Sequence, residues 1–302
     1  MKVIVLAIDG LEYNFVTKWN IVEFKQATYG RHDVTIAIKE GDPIYTPLIW
    51  SSFLLGKPSY LYGIDYESLT YKKSLIGYGR LAFLYKIKRK LLNRNIRLRP
   101  LLQKLGLFKI GRIVNKLHEV EGLPPEAINH SLLGQARSLG FKVWVKDFPG
   151  LSAEVFGKYR VNVGTYLNSP VHERVRLLNE IFILSIKLLR ECKGASKSND
   201  LILYYTPLID IANHMLCRPG NIKLMTILAS YYKKLAREIQ KELKCLNNNQ
   251  IACVIVSDHG YDPFKHEHST YGFWSINIPI KIKDKPRYIT DFKNFILNLL
   301  NM

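Results

Sequence analysis

No apolar stretch in this 302-residue sequence reaches the ~18–20 residues that a membrane-spanning helix needs. The opening Met1 to Ile8 is apolar but stops at Asp9. That is short of a signal-peptide core and lacks a cleavage motif, so it reads as a first strand, and a cytoplasmic location is expected. Cysteine is scarce. Cys192, Cys217, Cys245 and Cys253 are widely spaced, with no C-x-x-C pair, which excludes a disulfide framework and leaves small buried apolar residues. Internal repeats, low-complexity segments and a G-x-x-x-x-G-K-[ST] phosphate loop are all missing. Negative charge is short as well: 25 Asp and Glu stand against 44 Lys and Arg, for a net charge of +19. The deficit is concentrated. No acidic residue falls between Thr70 and His118, while fourteen Lys and Arg lie between Lys72 and Lys116. A chain this basic favours phosphate-rich partners: small anions, nucleic acid or an anionic membrane surface.

With 47% hydrophobic residues, the chain can bury the core of a large α/β domain. Short runs rich in β-branched residues, at Lys2 to Ile8, Lys142 to Val145, Leu201 to Thr206 and Ile251 to Val256, read as buried strands; Val34 to Ile38 is a weaker one. Helical periodicity fills the intervals, from Pro125 to Leu139, Val171 to Glu191, Leu224 to Leu243 and Ile289 to Leu300. The segment 70–118 breaks this rhythm. Gly79 to Leu92 and Pro100 to Leu117 are expected helices joined by Asn93-Arg94-Asn95, apolar on one face and Lys/Arg on the other. The expected organisation is an α/β core, 1–69 and 119–302, interrupted by a basic helical insertion or cap, 70–118. The basic face is either simply solvated or a collector of phosphate-bearing ligand.

Three strands end in candidate ligands. Asp9-Gly10 follows the first, where Asp9 could equally cap a helix. Leu201 to Thr206 runs into a segment where helix would set Asp210 and His214 four apart on one face. Ile251 to Val256 ends in Ser257-Asp258-His259-Gly260, with His266 and His268 just beyond. Adjacent strand residues point to opposite faces, so Asp258 and His259 converge only if the chain leaves the sheet there, a turn Gly260 permits. Open α/β sheets build their sites at such strand ends, and mixed Asp and His suit a divalent cation. Separately, Tyr45-Thr46-Pro47 opens a short helix that stops at Gly56-Lys57-Pro58, with Thr46 at N-cap and Pro47 at N1. A hydroxyl there is either an ordinary cap or a group whose alkoxide the helix N-terminus favours.

The order of these segments resembles the alkaline phosphatase superfamily, and within it the type I phosphodiesterase/nucleotide pyrophosphatase family. The resemblance is carried by Val5 through Leu11, Thr46-Pro47 through Trp50, Ser52, Gly56, Pro58 and Gly63-Ile64. It continues with Asp210 through His214, Ser257-Asp258-His259-Gly260, His268-Ser269 and Gly272-Phe273. It implies an alkaline-phosphatase-like α/β core, a mostly parallel sheet flanked by helices. It also implies two divalent metal ions bridged by substrate phosphate, Zn²⁺ or alternatively Mn²⁺. Asp210, His214 and His268 look like ligands of one; Asp9, Asp258, His259 and the Thr46 hydroxyl look like ligands of the other. His266 is a rival for His268, but the His-Ser-x-x-Gly-Phe context fits His268. Thr46 would attack phosphorus in a small phosphoester such as a nucleotide, and water would hydrolyse the phosphothreonyl enzyme. The Asn that animal members place after the nucleophile is absent, its neighbourhood being Leu48, Ile49 and Trp50, and the His preceding Gly-Ile is Tyr62. Two further readings stand beside this one. One is a lipid head-group phosphodiesterase or phosphotransferase at an anionic membrane surface; the other is a nucleic-acid-binding protein on an inactive enzyme fold.

Overall fold

The structure is a computed structural model that describes residues 1–91, 99–244 and 250–302; the expected Asn93-Arg94-Asn95 joint and Cys245 lie outside them. In chain order the strands are β1 (Lys2–Ile8), β2 (Thr28–Asp33), β3 (Val143–Val145), β4 (Leu201–Thr206), β5 (Ile251–Val256), β6 (Gly260–Asp262), β7 (Glu267–Ser269) and β8 (Tyr271–Ile276). Six of them form one sheet in the order β2-β8-β5-β1-β4-β3, and β6 pairs with β7 as a separate hairpin. β5, β1, β4 and β3 run parallel; β8 is antiparallel to both β5 and β2. Strands β4 and β5 are buried along their whole length, as is β1 after its first residue, which is what unbroken apolar runs predict for a sheet covered on both faces.

Two groups of helices flank the sheet. Val171–Ala195, Leu208–Leu216 and Ile222–Lys244 pack together and onto β4. Thr46–Leu55, Leu132–Ser138 and Phe292–Leu300 form the other group, the last against β1. The register sets Ile8 opposite Thr206 and Ala7 opposite Val256. The C-terminal ends of β1, β4 and β5 are therefore level, and the segments leaving them open onto one place. Among the described residues no helix is long and apolar enough to cross a membrane.

Several local expectations shift. The edge strand is Thr28–Asp33 rather than Val34 to Ile38, because Asp33 Oδ1 accepts from both the N–H and the hydroxyl of Thr35 at 2.6 Å and turns the chain into a 3₁₀ helix, Thr35–Ala37. The single helix expected from Pro125 to Leu139 is two, Pro125–His130 and Leu132–Ser138. Ser131 breaks it by accepting from the Gly134 N–H at 3.3 Å while donating to Ile128 O at 2.6 Å. Pro100 to Leu117 also fragments, into Arg99–Lys104, Ile110–Asn115 and Leu117–Glu121, with Gly106 left-handed at φ 70° between the first two.

The basic segment is entered by a helix that starts before it. Tyr66–Tyr78 begins at a reciprocal cap between Asp65 and Ser68 and runs through position 70. Beyond it, Ala82–Leu91 and the short helices build a small second core from Tyr78, Phe108, Ile113 and Leu117, with Leu81, Ala82, Tyr85 and Leu102 packed against it.

Candidate metal centre

Asp9 stands one residue past β1, Asp258 and His259 just past β5, and Asp210 and His214 one turn apart on the helix Leu208–Leu216 that follows β4. His268 sits at the middle of β7 and Thr46 opens the helix Thr46–Leu55. All seven meet in one cluster. His259 Nε2 lies 3.3 Å from Asp9 Oδ1, 3.3 Å from Asp258 Oδ2 and 3.2 Å from Thr46 Oγ1. His214 Nε2 is 3.3 Å and His268 Nε2 3.5 Å from Asp210 Oδ1, with the two imidazole nitrogens 2.9 Å apart. Two ligand-like triads result, Asp9–Asp258–His259 and Asp210–His259–His268, so His259 stands between the halves. His266 is not among them. It is exposed at the hairpin turn, with φ 57° and Nδ1 3.5 Å from Arg218 Nη1.

The backbone explains the convergence. Gly10 turns left-handed at φ 68°, and a Cβ there would fall 2.7 Å from Asp210 Cα; without that glycine, Asp9 and Asp210 would not approach. Gly260 plays a different part from the one expected. It is not left-handed, and it is small because the Glu12 carboxylate occupies the space a Cβ would need. Thr46 is also not the cap: Tyr45 holds that position and Thr46 is the first helical residue, its hydroxyl free for the cluster.

Hydrogen bonds aim the ligands. His259 Nδ1 lies 2.9 Å from Gly260 O and His268 Nδ1 3.3 Å from Ile44 O. An N–H donated to each carbonyl leaves each Nε2 lone pair facing the cluster. Tyr205 donates to Asp9 Oδ2 at 2.7 Å and Gly10 N–H to Asp258 Oδ1 at 3.2 Å. Among the described residues, the opposite oxygens, Asp9 Oδ1, Asp258 Oδ2 and Asp210 Oδ1, are buried with no neighbour to donate to them but the cluster's own imidazoles. Three buried carboxylates in one cluster are costly unless a cation compensates them. The donor set fits a divalent metal. Burial and then the Asp210 charge push Asp9 up to about 7. Burial and Asp9 push Asp258 well above the usual carboxylate range. Burial also acts to raise Asp210, but His214 and His268 beside it hold its carboxyl well below that range. His259 is pushed down to about 3 by burial and by His268.

A cavity of about 380 Å³ opens from Asp9, Thr46, Asp210 and His268 toward the helix Tyr66–Tyr78. In its wall is a group of residues that the sequence does not announce. Arg160 Nη1 lies 3.2 Å from Glu121 Oε2, and Lys73 bridges Glu121 to the Tyr45 hydroxyl. Among the described residues the Arg160 Nε and Nη2 atoms are buried without an acceptor. Burial opposes the guanidinium charge, but Glu121, Tyr205 and Asp147 more than offset it, holding Arg160 above its ordinary value. Arg160 sits on Gly157–Tyr166, a helix with no apolar stripe to reveal it. Lys73 was one cation among fourteen. The only signal was Glu121, standing just past the acid-free run. Leu48, Ile49 and Trp50 are buried in the core.

No protein-family model matches this chain, and no curated protein sequence matches it. One solved structure shares the fold at a TM-score of 0.50, and others are similar at lower scores. The PH0037 protein from Pyrococcus horikoshii is similar with a TM-score of 0.50 at 12% identity, over 99% of this chain and 96% of that one. An alkaline phosphatase from the Antarctic bacterium TAB5 aligns at TM-score 0.45 and 12% identity, over 99% and 97%. Murine ectonucleotide pyrophosphatase/phosphodiesterase 5 aligns at 0.37 and 14%, over 86% of this chain and 57% of its own length.

Proposed function

We propose that this chain is a two-metal phosphoryl-transfer enzyme, a phosphodiesterase or nucleotide pyrophosphatase in type, with Thr46 as its nucleophile. One observation carries the reading. The buried carboxylate oxygens of Asp9, Asp258 and Asp210 and the Nε2 atoms of His259, His214 and His268 form two adjoining triads that share His259, beside the Thr46 hydroxyl. Asp210, His214 and His268 would hold one cation, and Asp9, Asp258, His259 and Thr46 the other, as Zn²⁺ or Mn²⁺. Bound there, the cations would neutralise phosphate charge and lower the pKa of hydroxyls beside them.

The chain's own groups do the rest. Thr46 Oγ1, at the positive end of its helix, forms a bond to phosphorus as the ester oxygen departs with its electron pair. Water then cleaves the phosphothreonyl bond and restores the hydroxyl. Tyr205 keeps one oxygen of Asp9 occupied, so that the other faces the cluster. Arg160, in the wall of a cavity large enough for a small phosphoester, would turn its N–H groups onto a bound phosphate and take the anchoring part that Asn plays in the family the sequence resembles. In this reading the compartment is the cytoplasm, where the described cysteines, buried and unpaired, stay reduced.

Hydrolysis of a chromogenic aryl phosphodiester by purified protein loaded with Zn²⁺ or Mn²⁺ tests the proposal. Turnover by wild type and none by Thr46→Ala is the expected result. Equal inactivity of both toward monoesters and diesters, with either metal, would overturn it.

A further inference from the structure

The helix Ala82–Leu91 carries apolar residues on two faces, and the small core accounts for only one of them. Leu81, Ala82 and Tyr85 pack inward against Tyr78, Phe108, Ile113 and Leu117. Phe83, Leu84 and Ile87, spaced i, i+1, i+4 and so contiguous on the helix surface, are 54%, 39% and 47% exposed. A solvated helix face is ordinarily polar. Exposed Arg80 and Lys86 border this one, and the sequence continues with Lys88-Arg89-Lys90. Further along the same acid-free stretch, Leu105 and Leu107 are also exposed, between the exposed Lys104 and Lys109.

Apolar side chains turned to solvent and ringed by cations, with no carboxylate anywhere in the segment, match the chemistry of the boundary between acyl chains and anionic head groups. The apolar groups enter the boundary while Lys and Arg neutralise the phosphates above it. Nucleic acid fits less well. Single strands are held by aromatic platforms, and of the five aromatics in this stretch, Tyr78 and Phe108 are buried, Tyr71 is half-buried against Tyr85, and Tyr85 is turned into the small core. Only Phe83 is left outward.

We propose that Phe83, Leu84 and Ile87 dock this protein on the surface of an anionic phospholipid bilayer. The docking stands on this surface alone. Its consequence for substrate rests on the proposed phosphoryl-transfer site. One 3₁₀ turn, Gly79–Leu81, joins the docking helix to Tyr66–Tyr78, whose Tyr66, Thr70, Lys73 and Ser74 line the cavity. A bilayer held by the one helix lies beside the wall formed by the other, and the phosphodiester head group of an anionic lipid becomes the natural occupant.

The test is flotation of the full chain with vesicles containing phosphatidylglycerol, against vesicles of phosphatidylcholine alone. Wild type and Thr46→Ala are expected to float with the anionic vesicles only, so catalysis and docking are read separately. Phe83→Ser/Leu84→Ser/Ile87→Ser should lose about tenfold or more of that binding while hydrolysing a soluble aryl diester as wild type does. Phe83→Ser alone should lose part of it, which guards against misfolding of the triple variant. Failure of wild type to float with anionic vesicles would overturn the proposal, as would a triple variant that floats like wild type. So would a single-stranded RNA that binds tightly and strips wild type from the vesicles, since nucleic acid would then be the ligand.

Discussion

The imidazoles of His259 and His268 stack, with ring centroids 3.7 Å apart and planes 16° from parallel. One ring belongs to the Asp9 and Asp258 half of the cluster and the other to the Asp210 and His214 half. The hairpin β6–β7 places them, because Tyr261 pairs with His268 in its register and His259 directly precedes Gly260. The stack is thus the spacer between the two candidate cation positions.

Metal uptake should therefore come in pairs and be tied to pH. Chelator-stripped protein given Zn²⁺ is expected to bind about two equivalents, with a rise in melting temperature. Asp210→Asn should bind about one. Asp9 is pushed up to about 7 by burial and by Asp210, so it holds a proton below that pH that a cation must displace. Affinity should fall as pH drops below about 7, with protons released on binding, which calorimetry in buffers of different ionisation enthalpy would read. Uptake of a single equivalent by wild type, unaltered in Asp210→Asn, would contradict the pairing.

Much of this cluster was legible because its parts are punctuated. Asp9, Asp210, Asp258 and His259 follow short buried strands, whose apolar runs leave little choice of structure. Thr46-Pro47 marks a helix start by Pro47's own chemistry, though the hydroxyl proved to be one position inside the cap. What could not be read was whatever depends on distance alone. Arg160 lies on a helix without amphipathic signal. Gly260 looked like a turn glycine, yet it answers to a carboxylate of Glu12 that is far away in sequence. The edge strand Thr28–Asp33 ends in three consecutive polar residues, Arg31, His32 and Asp33, and buries little, so the more apolar Val34 to Ile38 drew the assignment away from it. Within 70–118, periodicity announced helices but not their breaks, which depend on single residues such as Gly106.

Thr46→Ala should reduce turnover by at least about 10³-fold while leaving bound metal near the wild-type level, since the other ligands remain. Thr46→Ser should keep a substantial part of the activity, because the hydroxyl survives. Trapping of radiolabelled phosphate on the protein at low pH, seen in wild type and lost in Thr46→Ala, identifies the intermediate. Label that persists in Thr46→Ala would move the nucleophile elsewhere.

Arg160 is best tested against its partner. Arg160→Met removes a guanidinium from the cavity wall and leaves the buried Glu121 with Lys73 as its cation. Glu121 stays partly compensated, so the cost should fall below the ~3–5 kcal/mol of a buried charge left with no partner. Arg160→Lys, which keeps a cation beside Glu121 but lacks the guanidinium fork, should recover much of the lost stability in denaturant melts. Its kcat/KM should stay down by about 10–100-fold, the loss coming from a missing charge-assisted contact to phosphate. Recovery of activity along with stability would make Arg160 a structural residue only.

His32 supplies an acid-sensitive term away from the cluster. It is 2% exposed at the edge strand, its ring packed edge-on against Phe292 at 5.0 Å. Burial pushes it from 6.5 down to about 3, the Ser257 backbone opposing only in part. The folded state thus keeps this imidazole neutral over a range in which the unfolded chain takes up a proton. A histidine lowered in this way lends stability that is intact above its unfolded value of about 6.5 and drains as pH falls toward 3, with a slope approaching about 1.4 kcal/mol per pH unit. Between pH 7 and pH 5 the loss from this one group should be about 2 kcal/mol. His32→Leu, close in size and unable to titrate, should flatten the difference between denaturant melts at those two pH values by that amount. If wild type and His32→Leu lose stability in parallel, the ring is reaching solvent or a partner at low pH and the edge of the sheet is less closed than the packing of Phe292 against it implies.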